Sequence, residues 1–189
     1  VAIELAAFAL VLLAVNLNAG AREALAFLPQ RVVIGEFWRV LTYPLVHVSA
    51  YHLALDGIAF LFLYAALPFG RAWMRLATVA AVTFTSVAFA WAASPAIATT
   101  GLCGLSGPAH GLMVLTGLAT AVSPGADRQT RWLSLLTLLG VFAKCGFELK
   151  TGQLAWAGLH FGNLGTPIVA CHAGGALGGL LVGLATWKK

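Results

Sequence analysis

Ser106 stands inside the glycine-rich turn Gly104-Leu105-Ser106-Gly107, and His172 stands one turn into the last hydrophobic stretch of the chain. A hydroxyl needs a base to become a nucleophile, neutral imidazole is a suitable base near pH 7, and ionisable residues at membrane depth are functional by default. Glycines on both sides of Ser106 permit a sharp turn at a helix start. Free N–H groups and the helix dipole at such a start can stabilise a developing oxyanion. His52 and Asp56 are four residues apart, on one helical face, and could supply side-chain donors to the same oxyanion hole. Lys144 and Glu148 have the same spacing. They read either as a structural ion pair or as a recognition element for substrate. His110 follows Ser106 by four residues and could tune the site or bond a carbonyl. His47 and His160 read as interfacial residues. A G-x-S-G turn alone is weak evidence, since serine and glycine are common where membrane helices pack.

The elements that must position these groups follow from composition. Of 189 residues, 60% are hydrophobic and 9% are charged, and the mean hydropathy is +0.91. No soluble domain of this size needs so much apolar surface. Apolar runs near the ~20 residues that span a bilayer recur, without the alternation of a β-barrel. The expectation is a single all-α membrane domain over residues 1–189 with six spans, at about 1–19, 46–67, 72–93, 106–122, 132–149 and 167–187. The first reads as a retained span and not a cleavable signal, because it has no basic front and no A-x-A-like site. The long connection from Gly20 to Leu45, with Pro29, Trp38 and Tyr43, is expected to pack as an interfacial element.

Arg71, Arg75, Arg128, Arg131, Lys188 and Lys189 follow the second, fourth and sixth spans, which assigns those ends and both termini to the cytoplasm. Spans two, four and six then start from the opposite face. His52, Ser106 and His172 lie within the first two turns of those spans, less than ~10 Å down. Three polar groups from distant segments sharing one slab is the strongest indication of a site.

The formal charge of +5 does not indicate nucleic acid, because the eleven Lys and Arg residues are scattered among loops. Three cysteines, Cys103, Cys145 and Cys171, give neither a disulfide framework nor a zinc spacing and read as packing residues. The histidines do not assemble a convincing ligand set with carboxylates or thiolates, so no metal and no organic cofactor is expected.

Taken together, Trp38-Arg39, then His47, His52 and Asp56, then Gly104-Leu105-Ser106-Gly107, and finally His172 with Gly175 and Gly179, resemble the rhomboid family of intramembrane serine proteases almost end to end. The resemblance implies Ser106 as nucleophile, His172 as general base, and His52 with the Ser106 N–H as oxyanion stabilisers. It implies a two-residue dyad with no third carboxylate, and Gly175 and Gly179 as close-packing positions against span four. Rhomboids usually carry asparagine where this chain has Asp56. A carboxylate there would repel an oxyanion, whereas a neutral acid could donate to it, so a neutral Asp56 is expected. The stretch G-L-S-G-P-A-H-G from Gly104 to Gly111 is most similar to the rhombosortase branch. That likeness implies a bacterial inner-membrane enzyme opening to the periplasmic side. Its substrates would be secreted proteins with a C-terminal Gly-Gly motif, an apolar span and a basic tail.

Three rival readings stand beside this one. A catalytically inactive relative could bind membrane clients. A small transporter could use the intramembrane His, Asp, Lys and Glu as a proton path, although no paired interrupted spans in matching halves are visible. Cys103, in the similar turn Gly101-Leu102-Cys103-Gly104, could be the nucleophile.

Overall fold

The computed structural model describes residues 1–186. Trp187, Lys188 and Lys189, two of which entered the topology reading, lie outside the described residues. Ten α-helices follow one another among those described: α1 (Ala2–Leu17), α2 (Ala21–Leu25), α3 (Pro29–Val33), α4 (Arg39–Thr42), α5 (Ala50–Ala65), α6 (Ala72–Ala93), α7 (Ile97–Thr100), α8 (Ser106–Val122), α9 (Arg128–Thr151) and α10 (Ala170–Thr186). Short 3₁₀ turns lie at Tyr43–Leu45 and Ala157–Leu159.

Each expected span contains one of the long helices, but six full-length spans are not what the helix lengths support. Among the described residues, only α6 and α9, of 22 and 24 residues, are long and apolar enough to cross a bilayer alone. A third candidate is a bent pair, Arg39–Leu45 with Ala50–Ala65, which turns through 104°. The remaining helices are shorter for a physical reason visible at α8. Its 17 residues rise about 25 Å at 1.5 Å each. Its start is sunk among neighbours, with Leu102 and Leu105 both buried just before it. On the outside, Ile58 and Phe62 of α5 and Leu139 of α9 are exposed at 70%, 76% and 66%, a surface suited to hydrocarbon and not to water.

The core is built on α10, which packs most closely on α8 and α6. A Cβ at Gly175 would collide with the Gly107 carbonyl, and one at Gly179 with the Gly111 carbonyl. On the other side, a Cβ at Gly174 would lie 2.6 Å from the Thr85 carbonyl oxygen of α6. Small residues replace side-chain volume with backbone proximity, the dominant contact between helices in lipid. The Ser86 hydroxyl adds a bond to the Cys171 carbonyl, 2.9 Å away.

The connection from Gly20 to Leu45 folds into α2, α3, α4 and the 3₁₀ turn. Arg39 holds it together from a buried position, donating to the carbonyls of Glu23 and Ala26 at 2.8 and 2.7 Å and to Glu36 Oε2 at 2.5 Å. Val33, Ile34, Phe37, Trp38 and Leu41 project from it as an exposed apolar fringe. This element also grips the segment leading to Ser106. Phe27 and Leu102 exchange two backbone hydrogen bonds of 2.9 Å, and the Gly104 N–H donates to the Tyr43 carbonyl at 3.2 Å.

Arg75 is not the loop cation that the topology reading counted. It is buried in the first turns of α6 and donates to both Glu4 carboxylate oxygens, at 2.6 and 2.9 Å, with the Tyr64 hydroxyl on the same carboxylate. An arginine this deep requires a carboxylate partner, and Glu4 provides it from α1. Arg71 is exposed.

Replacing Gly175 by Ala should therefore destabilise the bundle by about 1–3 kcal/mol, as overpacking does. Gly140→Ala on α9, where a Cβ meets nothing within 4 Å, should be neutral or slightly stabilising. Thermal unfolding of both variants in detergent measures the contrast.

Candidate active site

Gly104 sets the direction of the chain into α8. Its φ is 99°, a left-handed value open to glycine, and a Cβ there would lie 2.8 Å from His52 Nε2 and 2.9 Å from Asp56 Oδ2. Ser106 is the first residue of α8, so its N–H has no partner within the helix. That N–H donates to Asp56 Oδ2 at 2.9 Å.

His52 and Asp56 reach the same point from α5. Ser49 caps that helix by accepting the His52 N–H at 3.0 Å, which turns positions 52 and 56 inward. The Val48 N–H donates to His52 Nδ1 at 3.5 Å, leaving Nε2 to carry the hydrogen, and Nε2 lies 3.1 Å from Asp56 Oδ2. Asp56 thus accepts, through one oxygen, from both groups expected to form the oxyanion hole. Both neighbours of that oxygen are donors.

His172 enters from the first turn of α10. Its Nε2 lies 3.1 Å from Ser106 Oγ. The His110 ring stacks on the His172 ring, with centroids 4.2 Å apart and planes 16° apart, while His110 Nδ1–H donates to the Ser106 carbonyl at 2.7 Å. Here the structure departs from the expected two-residue arrangement. Glu148 Oε2 lies 2.7 Å from His172 Nδ1, so a carboxylate joins the serine and the imidazole as a third group. Lys144 Nζ, from the same helix as Glu148, donates to Glu148 Oε1 at 2.7 Å and lies 3.2 Å from His172 Nδ1. The Ala155 N–H completes the set by donating to Glu148 Oε1 at 3.1 Å. Glu148 is wholly buried. Its i, i+4 pairing with Lys144 is legible in the sequence, but its reach to a residue 24 positions away is not.

A cavity of about 470 Å³ opens over these groups. His52, Asp56, Ser106, His110, Lys144 and His172 belong to its polar lining, to which Arg22, Thr100, His160 and Thr166 also contribute, and Leu55, Ala59, Met113, Leu154 and Ile168 belong to its apolar wall. Cys103 also lines it, and burial pushes its thiol up, away from the thiolate a nucleophile requires. The nearest cysteine contact to the serine is Cys171, whose Sγ lies 3.9 Å from Ser106 Oγ.

His47 is not interfacial. It is buried beside the site, 3.8 Å from Asp56 Oδ2 and edge-on to His52 at 5.0 Å, because Asn16 Oδ1 accepts its backbone N–H at 2.8 Å and draws it under α5. His160 is half-buried on the cavity wall, 3.4 Å from the Tyr51 hydroxyl. Gly175 and Gly179 lie along α10 against α8, as described above. Among the described residues, no three His, Cys, Asp or Glu side chains are grouped to hold a metal ion.

The chain is thus an all-helical apolar bundle in which a serine meets a histidine inside a cavity. The model of the Rhomboid domain matches residues 34–189, and the chain belongs to the rhomboid family, whose members are generally serine-type intramembrane proteases. A search among curated proteins finds no match to it.

Gly104→Ala forces a Cβ into His52 and a left-handed backbone onto an L-residue, at about 1–2 kcal/mol for the backbone alone. The variant should unfold at a lower temperature in detergent. Gly125→Ala, in open space, should not change it.

Proposed function

We propose that the protein is an intramembrane serine endopeptidase in which Ser106 is the nucleophile and His172 the general base. The observation that carries the reading is the 3.1 Å approach of His172 Nε2 to Ser106 Oγ within the cavity. In the first step Ser106 Oγ attacks the scissile carbonyl carbon as its proton passes to His172 Nε2. The oxyanion so formed is held by the Ser106 N–H and His52 Nε2–H, the two groups that converge on Asp56 Oδ2. Substrate therefore displaces Asp56 from a position where its oxygen imitates the oxyanion. His172 then returns the proton to the leaving amine, an ester on Ser106 remains, and water or another amine releases the product.

The proposed substrate class rests on the chemistry of opening a helix. A peptide bond within a transmembrane helix must leave its intrahelical hydrogen bonds to reach a serine, so residues that loosen the helix favour cleavage. A Gly-Gly anchor preceding an apolar span and a basic tail meets that need, and the Gly104–Gly111 stretch supports placement in the rhombosortase branch. The site opens on the extracytoplasmic face of a bacterial inner membrane in this reading, with both termini cytoplasmic.

Fluorophosphonate labelling in detergent tests the chemistry. The parent and Cys103→Ala should label, while Ser106→Ala should not and His172→Ala should lose about 10²–10⁴-fold in rate. Labelling abolished only in Cys103→Ala would move the nucleophile to the cysteine. Client capture without labelling would favour an inactive relative, and ion or solute flux surviving Ser106→Ala would favour a transporter.

Asp56→Asn puts a neutral amide where the carboxyl group faces the oxyanion and keeps an acceptor for the Ser106 N–H. Cleavage of a Gly-Gly anchor substrate at neutral pH should be preserved or raised. Complete loss of cleavage in that variant would show that the charge is required.

A further inference from the structure

Glu148 and Lys144 lie outside the serine–histidine pair, yet both meet the imidazole's other nitrogen, Nδ1. A carboxylate can only accept and an ammonium can only donate, so the two make opposite demands on His172 Nδ1. If Lys144 donated to Nδ1, the ring hydrogen of a neutral imidazole would sit on Nε2. The lone pair that must take the Ser106 proton would then be lost. If Nδ1–H donates to Glu148, the lone pair is on Nε2 and faces Ser106 Oγ.

Distance decides between them, at 2.7 Å to Glu148 Oε2 against 3.2 Å to Lys144 Nζ. The Lys144 ammonium is moreover engaged with the other carboxylate oxygen, Oε1, at 2.7 Å. The Ala155 N–H fixes that same oxygen from the loop after α9. Glu148 is thus held at one end so that its free oxygen meets the imidazole. An isolated carboxylate buried this completely would be costly, and the lysine partner makes it tolerable at this position.

We propose that Glu148 is a positioning residue of the hydrolytic site: it selects the tautomer and orientation of His172, with Lys144 and the Ala155 N–H restraining it. The proposal rests on the reading of Ser106 and His172 as nucleophile and base. It makes the site a serine–histidine–glutamate arrangement, with the lysine turned from competitor to clamp. A group recognising substrate would act on binding, whereas one orienting the base acts on the rate of bond formation, which separates the two roles experimentally.

The test uses the full chain in detergent with a fluorophosphonate probe, its labelling rate resolved into KI and kinact. Glu148→Gln keeps the volume and is expected to lower kinact by about 10²–10⁴-fold with KI within threefold of the parent. Glu148→Asp, which restores the carboxylate, should recover at least tenfold over the glutamine variant. Should both variants fail to fold, the parent itself answers. Its His172 ¹⁵N resonances, assigned by comparison with His172→Ala and recorded where the imidazole is neutral, should show the hydrogen on Nδ1. A glutamine variant that labels at the parental rate, an effect confined to KI, or a hydrogen on Nε2 would overturn the proposal while leaving Ser106 as nucleophile. A parent that does not label would overturn both.

Discussion

Gly175 and Gly179 let α10 lie against the Gly107 and Gly111 carbonyls of α8 at a separation that no side chain would permit, while Gly174 closes the same helix on α6. Lipid tails are as apolar as the helices themselves, so association depends on close contact and not on removal of water. The consequence for chemistry is direct. His172 stands three residues before Gly175, on the face of α10 that meets α8, and Ser106 immediately precedes Gly107 on α8. The contact that holds the helices together is therefore the contact that brings imidazole to hydroxyl. A rotation of α10 by one residue, about 100°, would turn the base away.

Around this contact, polar groups are satisfied by one another. The Ser86 hydroxyl ties α6 to the Cys171 carbonyl, His110 closes on the Ser106 carbonyl, and Glu148 gathers three donors or partners from three segments. At the opposite end, Arg75 and Glu4 neutralise each other with Tyr64 beside them. In a low-dielectric setting each unmade bond costs more than in water, which favours such closed sets. His47 is the exception among the described residues, since neither ring nitrogen has a hydrogen-bond partner. Its edge contact with His52 and its distance of 3.8 Å from Asp56 place it against those two side chains.

What could be read from sequence was governed by range. Hydropathy located the long helices, the glycine turn marked Ser106, and i, i+4 spacing paired His52 with Asp56 and Lys144 with Glu148. Each of these signals is local. The contact of Glu148 with His172, the burial of His47 and the pairing of Arg75 with Glu4 depend on how helices rotate about their axes, which composition does not encode. Helix length and composition by themselves single out two candidate spans among the described residues, or three with the bent pair, for a related reason. An apolar run records burial, whether in lipid or against neighbouring protein, and the start of α8 is buried in protein.

The two carboxylates at the site illustrate how position decides the role of the same group. Asp56 comes from α5 and meets the serine's N–H, on the side where the proposed mechanism develops negative charge. There a carboxylate competes with the reacting oxygen and has to yield. Glu148 comes from α9 and meets the far edge of the imidazole, where positive charge develops when the base takes a proton. A carboxylate on that side stabilises the change and need not move. Lys144 and the Ala155 N–H hold Glu148 in place, whereas Asp56 Oδ2 is bound by the donors that substrate would claim. The fixed acid stands behind the base and the displaceable acid stands in the hole. In the proposed mechanism that division follows from which helix carries each residue, and the displaceable acid is the one on the α5 side of the cavity.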